Sequence, residues 1–215
     1  MKKLVIYSGG MDSFTLLHIV DRYNAETVAL SFDYGQRHKK ELLCAEFVCR
    51  ELEVEHHVIK LPKLFGGALA GECDVPEGHY EDASMKKTVV PYRNLVMLSH
   101  AASFAAANGI REVFYGAHAG DHAIYPDCRA SFLNALNRTL EVGHYTESTV
   151  LIRAPFINST KADILMDYGI PWELDYSQTW TCYNGREKAC GKCGSCVERR
   201  EAFSDAGVID PMEYE

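Results

Sequence analysis

The sequence predicts an α/β fold built on a doubly wound, parallel, five-stranded sheet, and three observations predict it. Five short runs of β-branched and aromatic residues recur along the chain. Segments with apolar residues at helical spacing separate them, and the first run leads straight into a glycine-rich turn. The strand candidates are LVIY at 4–7, TVALSF at 27–32, VEHHVI at 54–59, EVFYG at 112–116 and TVLIR at 149–153. Helix candidates lie at about 13–22, 37–52, 94–108, 129–142 and 160–168. The second shows the pattern best: Leu42, Leu43, Phe47, Val48 and Leu52 recur at helical spacing, while Lys39, Lys40, Glu46 and Arg50 take the other face. Residues 62–92 interrupt the alternation with Gly66, Gly67, Gly71, Pro76, Gly78 and Pro91 and no clear periodicity. Loops of that length in compact domains commonly carry function or motion.

With 215 residues and 47% hydrophobic side chains, the chain supplies one sizeable core. The longest apolar runs are too short to cross a bilayer, and MKKLVIY leads into a strand-like run with no signal-peptide pattern, so a cytoplasmic protein is expected. The net charge of −8 argues against a sequence-independent grip on nucleic acid, which needs clustered Lys and Arg. A small-molecule substrate fits better.

Four of the eight cysteines stand apart, at Cys44, Cys49, Cys73 and Cys128. The others crowd into TCYNGREKACGKCGSC, where Cys182, Cys190, Cys193 and Cys196 are spaced as C-x7-C-x2-C-x2-C. Two-residue gaps let neighbouring thiolates converge on one ion, and four thiolates close the tetrahedral shell of a structural zinc. No coordination position stays open for catalysis.

The first strand-to-helix turn reads YSGGMDSFTLL, Tyr7 to Leu17. A helix N-terminus at the carboxyl end of a parallel strand offers free N–H groups and a positive dipole to an anion. Gly9 and Gly10 let the backbone approach a ligand, and Ser13 can cap the helix or donate to a phosphate. No Gly-Lys-Ser/Thr follows, so this is not a Walker A loop. The string S-G-G-x-D-S resembles the pyrophosphate-binding loop of the adenosine-nucleotide α-hydrolase (PP-loop) superfamily, whose members cleave ATP between the α and β phosphates. With DYGQRHKKEL at 33–42, VPYRN at 90–94, GAHAGDHAIYPDCRASF at 116–132, APFINSTKADI at 154–164 and the cysteine cluster, the chain resembles the 7-cyano-7-deazaguanine synthase family. The likeness runs from about residue 4 to 212 in the family's order. Tyr92 stands where that family usually has glycine, and Met11 where it usually has glutamine.

The resemblance implies an ATP pyrophosphatase-type domain over 1–170 and a zinc-binding segment over 171–215 packed on it. It implies conversion of 7-carboxy-7-deazaguanine and ammonia to 7-cyano-7-deazaguanine through adenylated carboxylate and amide intermediates. AMP and pyrophosphate are released. ATP is expected at Ser8, Gly9, Gly10, Met11, Asp12, Ser13, Phe14 and Thr15, with Asp12 on a magnesium ion. Arg93, Asn94, Tyr125, Asp127 and Arg129 are the candidates for substrate binding, although Asp127 and Arg129 could instead pair to brace their loop. Asp12, Arg93, Asp121 and Lys161 are the candidates for catalysis. Lys161 opens a helix, where the dipole disfavours a cation unless it has a task. His38, His118 and His122 read as polar and solvated, and Trp172 and Trp180 as packing residues. Alternatives are a relative that stops at the 7-amido product and a tRNA-thiolating enzyme of the same superfamily. No residues remain for an amidotransferase domain, so free ammonia is the expected nitrogen donor, and the family likeness implies a homodimer.

Overall fold

The computed structural model describes residues 2–23, 26–64, 66–71, 73–144 and 149–215. Strands β1 (Lys3–Ile6), β2 (Thr27–Asp33), β3 (Glu55–Lys60), β4 (Glu112–Phe114) and β5 (Leu151–Arg153) form a parallel five-stranded sheet among the described residues, in the order β3-β2-β1-β4-β5. The central β1 pairs Val5 with Ala29 on one side and with Phe114 on the other. The chain winds outward through β2 and β3, then returns past β1 to lay down β4 and β5. That reversal opens a crevice at the carboxyl end of β1, where ligands settle in such sheets.

The helices are α1 (Met11–Tyr23), α2 (Lys40–Glu51), α3 (Arg93–Ala107), α4 (Ala130–Gly143), α5 (Lys161–Ile164) and α6 (Gly194–Asp205). After α5 the backbone widens into a π turn over Leu165–Gly169. Successive strand residues feed opposite faces. Leu4, Leu30, Val113 and Ile152 share a core with Leu98, Ala101 and Ala105 of α3 and Leu136 of α4. Val5, Ala29 and Phe114 share the other with Leu16 and Leu17 of α1, Ala45 and Val48 of α2, Ile164 of α5 and Phe203 of α6. A sheet covered on both faces explains why β2 reads as a near-continuous apolar run.

The five predicted strands and five predicted helices are all present, with shifted ends. The strand expected over 112–116 stops at Phe114, and the one expected over 149–153 starts at Leu151. Helix α6 was not foreseen, because its buried residues include Cys196 and Arg199 and no apolar stripe marks it. The long interruption holds two short 3-10 turns, Ala68–Ala70 and Ala83–Thr88, and residues 65 and 72 of it lie outside the described residues. Residues 171–215 add no strand to the sheet. They fasten to α1 through Tyr176, whose ring meets Phe14 edge-on at 5.5 Å and Phe203 at 5.6 Å. Trp172 packs as expected, against Tyr168 and under Arg22.

Candidate active site and cysteine cluster

A cavity of about 270 Å³ lies at the carboxyl end of β1. The turn over Ser8–Gly10 forms one wall. Gly9 has φ +88°, and a side chain there would strike the backbone carbonyl of Glu41, so this turn requires glycine. Ser13 Oγ donates to Gly10 O at 3.1 Å, and Ser8 N–H donates to Ser13 Oγ at 3.2 Å, which closes the turn on itself. The Gly9 carbonyl accepts from Trp180 N–H at 3.0 Å, so the C-terminal segment clamps the loop. The first-turn N–H groups of α1 have no carbonyl before them to bond, which leaves an anion cradle at the cavity wall.

Beside the cradle, Lys161 is buried at the start of α5. Its Nζ lies 2.7 Å from Glu198 Oε2, 2.9 Å from His118 Nε2 and 3.1 Å from Asp12 Oδ2. On the other side of the ring, His118 Nδ1 accepts from Gly120 N–H at 3.2 Å and lies 3.8 Å from Glu198 Oε1. Burial works to raise the Asp12 carboxyl, but Lys161 and then His118 outweigh it and hold the group below its usual range. Burial also works to lower Lys161, and Asp12 and Glu198 more than offset this and keep it charged. Asp12 Oδ1 has no hydrogen-bond partner among the described residues. Asp121 lies at the same end, 3.6 Å from His118 Nε2.

The lining also carries Arg93, Asn94, Tyr34, Glu41, Tyr115, Tyr125 and Tyr183. Arg93 donates to Tyr34 OH at 3.4 Å. Burial pushes the Glu41 carboxyl up to about 7, against an opposing pull from Arg93 and with a smaller push from Cys182. The Tyr115 hydroxyl is buried and has no partner among the described residues.

The structure brings together Ser8, Gly10, Met11, Asp12, Ser13, Arg93, Asn94, Asp121, Tyr125 and Lys161 around this cavity. It does not bring Phe14 or Thr15 there. Phe14 is buried against His18 and Tyr176, and Thr15 Oγ1 is 2.7 Å from Tyr176 OH, because both point from α1 into the core. Asp127 and Arg129 also stand off the cavity. Asp127 accepts from Asn94 N–H at 3.3 Å and so caps α3, while Arg129 donates to the His122 carbonyl at 2.6 and 3.0 Å. Sequence reasoning missed Glu198, and it read His118 as solvated although that residue is 2% exposed. It also read Trp180 as packing only, whereas Trp180 borders the cavity and lies 4.1 Å from Lys40 Nζ.

Cys182, Cys190, Cys193 and Cys196 are buried with their sulfurs within 4.8 Å of one another. Backbone N–H groups point at these sulfurs: Asn184 and Cys190 donate to Cys182 Sγ at 3.4 Å, and Cys193 donates to Cys190 Sγ at 3.3 Å. Amide donors stabilise thiolates, and four sulfurs about 2.3 Å from a tetrahedral ion sit about 3.8 Å apart. The 3.9 Å between Cys190 and Cys196 fits that shell, so the cluster is built to bind a metal ion.

This fold and cavity define an α/β protein with a ligand cavity at the switch point of a parallel sheet. Two solved structures share the fold: the U34-tRNA thiolase NcsA from Methanococcus maripaludis with its [4Fe-4S] cluster, and an NMN synthetase from Francisella tularensis. The first superposes with TM-score 0.55 at 13% identity over 95% of this chain and 63% of that one. The second gives TM-score 0.51 at 11% identity over 97% and 78%. The family is fixed by sequence: residues 2–207 match the model of the queuosine biosynthesis protein QueC, and the chain belongs to this family of biosynthetic enzymes. It is 56% identical to the 7-cyano-7-deazaguanine synthase of Alteromonas mediterranea over 99% of this chain and 98% of that protein. It is 55% identical to 7-cyano-7-deazaguanine synthase 1 of Colwellia psychrerythraea over 100% and 99%. No helix among the described residues is long and apolar enough to cross a membrane.

Proposed function

We propose that this cavity converts 7-carboxy-7-deazaguanine and ammonia to 7-cyano-7-deazaguanine at the expense of two ATP. The observation that carries the reading is the buried Lys161 ammonium, 3.1 Å from Asp12 in the first turn of α1, on the lining of the same cavity as the glycine turn. A carboxylate is a poor electrophile. Its oxygen attacks the α-phosphorus of ATP, pyrophosphate leaves, and the acyl adenylate that forms has a good leaving group. Ammonia then displaces AMP to give the amide. The amide oxygen attacks a second α-phosphorus, a second pyrophosphate leaves, and loss of AMP and both protons of the amide nitrogen leaves the nitrile.

In this reading the first-turn N–H groups of Met11, Asp12 and Ser13 and the Lys161 ammonium bind the charge that builds on the phosphate oxygens. Arg93 and Asn94 hold the substrate carboxylate, Tyr125 borders the ring, and Asp121 takes up a proton. Asp127 and Arg129 support the pocket from behind, through α3 and through the His122 carbonyl. Asp12, Asp121 and Glu198 bring three negative charges against one ammonium, so a triphosphate needs a divalent cation to enter. The unpartnered Asp12 Oδ1 supports magnesium there. Four thiolates without an open position support a structural zinc in the segment 171–215. A reducing, cytoplasmic setting suits those thiols. The exposed Leu43 and Phe47, one turn apart on α2, offer an apolar surface for a homodimer.

The test is mass spectrometry of the protein incubated with 7-carboxy-7-deazaguanine, ammonium, magnesium and ATP. Nitrile with AMP and pyrophosphate is the expected result. Amide with AMP would shorten the reaction, and no AMP from metal-loaded protein would overturn the reading.

A further inference from the structure

Lys161 is an unusual residue to bury. It carries four rotatable bonds, sits in the first turn of a helix where the dipole opposes a cation, and is 6% exposed. An ammonium has three N–H donors, and here three polar partners surround it: the Asp12 and Glu198 carboxylates and the His118 ring. Two of the three have other obligations. Asp12 lines the anion cradle, and its other carboxylate oxygen has no partner among the described residues. His118 is itself placed by its neighbours, with Asp121 accepting from its backbone N–H. Glu198 alone faces Lys161 from the C-terminal segment.

Helix α6 concentrates three anchors within four residues. Cys196 belongs to the cysteine cluster, Glu198 reaches Lys161, and Arg199 is locked under Thr179, Thr181 and Asp210. The turn against Glu198 is equally fixed. A side chain at Gly120 would run into Glu198 Oε1 and the His118 ring, so the backbone packs directly on the carboxylate.

We infer that Glu198 is a positioning residue that holds the Lys161 ammonium at the reacting phosphate, and that α6 uses it to link the cysteine cluster to that centre. The inference rests on the function proposed above. When a cation-bound triphosphate engages Asp12, Glu198 and His118 still hold Lys161, and the ammonium stays aimed. When the metal leaves the cluster, the start of α6 loses its anchor and Glu198 moves off Lys161.

The test compares E198Q and E198D with the unaltered enzyme. It follows pyrophosphate release, ATP affinity by equilibrium dialysis, metal content, and acetylation of Lys161 mapped on its peptide. E198Q keeps the shape of the side chain and loses the charge. Its kcat should fall about tenfold to a hundredfold, its KM for ATP should move by less than about threefold, and Lys161 should acetylate about tenfold faster. A purely structural Glu198 would shift melting temperature and leave kcat per folded molecule unchanged, and that outcome overturns the proposal. Should E198Q fail to fold, E198D keeps the charge one methylene short, and full kcat in it would also overturn the proposal. Stripping the metal with a chelator should speed Lys161 acetylation as E198Q does, and an unchanged rate would remove the link to the cluster. If the unaltered enzyme releases no pyrophosphate, the proposed function has failed, and the acetylation rates alone decide the role of Glu198.

Discussion

Arg199 and Asp210 form a two-point ion pair inside the protein, with Nε 3.0 Å from both carboxylate oxygens and Nη2 2.9 Å from Oδ1. Arg199 is fully buried, and its other N–H groups donate to Thr179 Oγ1 at 2.7 Å, Thr181 Oγ1 at 3.1 Å and the Tyr176 carbonyl at 3.1 Å. One guanidinium thus joins α6, the stretch before the cysteine cluster and the C-terminal strap.

Replacing Arg199 with methionine should therefore cost about 3–5 kcal/mol, because the Asp210 carboxylate stays behind without its partner. Urea unfolding of R199M checks this. The double variant R199M/D210N, which removes the stranded charge, should recover part of the loss.

Glu41 predicts a pH dependence with a definite sign. Its carboxyl is raised from 4.5 to about 7 by burial, so between those values the folded state binds more protons than the unfolded one. Stability should then fall as pH rises through that window, with Arg93 limiting the loss and Cys182 adding to it. Unfolding midpoints measured across the window should show the slope, and E41Q should flatten it.

Tyr92 lies in the left-handed region with φ +57°, at the start of α3, and is 74% exposed. It has little packing to lose and a backbone that favours glycine. Y92G should be neutral or gain up to about 1 kcal/mol, the left-handed penalty relieved less the added freedom of the unfolded chain. A melting-temperature comparison settles the sign.

Removing the cluster's metal should loosen the C-terminal segment before the sheet. Structural four-thiolate sites contribute on the order of 10 kcal/mol to the folding of the segment they organise. Limited proteolysis of chelated protein should cut first within residues 171–215, and hydrogen exchange should rise in α6 while β1 and β2 stay protected.

The sheet was legible in the sequence because each strand's own residues carry it. Thr27 to Phe32 is apolar or β-branched nearly throughout, and a sheet covered on both faces demands that. The glycine turn was legible for a local reason too, since Gly9 must adopt a positive φ against Glu41. Lys161 was flagged by its conflict with the helix dipole. Glu198 carried no such signal: VERRE reads as a solvated helix face, and only the packing of α6 on α5 turns one carboxylate inward. His118 likewise looked solvated because its burial comes from Asp12, Lys161 and Glu198, which lie far from it in sequence. Phe14 and Thr15 were assigned through the loop motif, which does not show that both pack into the core from α1.

The residues around the cavity are spread from Ile6 to Glu198, with Arg93, His118 and Lys161 between. The N-terminal strands can pair soon after synthesis, yet β1 waits for β4 more than a hundred residues later, and such distant contacts form slowly. Glu198 arrives last of all. A nascent or truncated chain can therefore expose the glycine turn without the group that fixes its lysine.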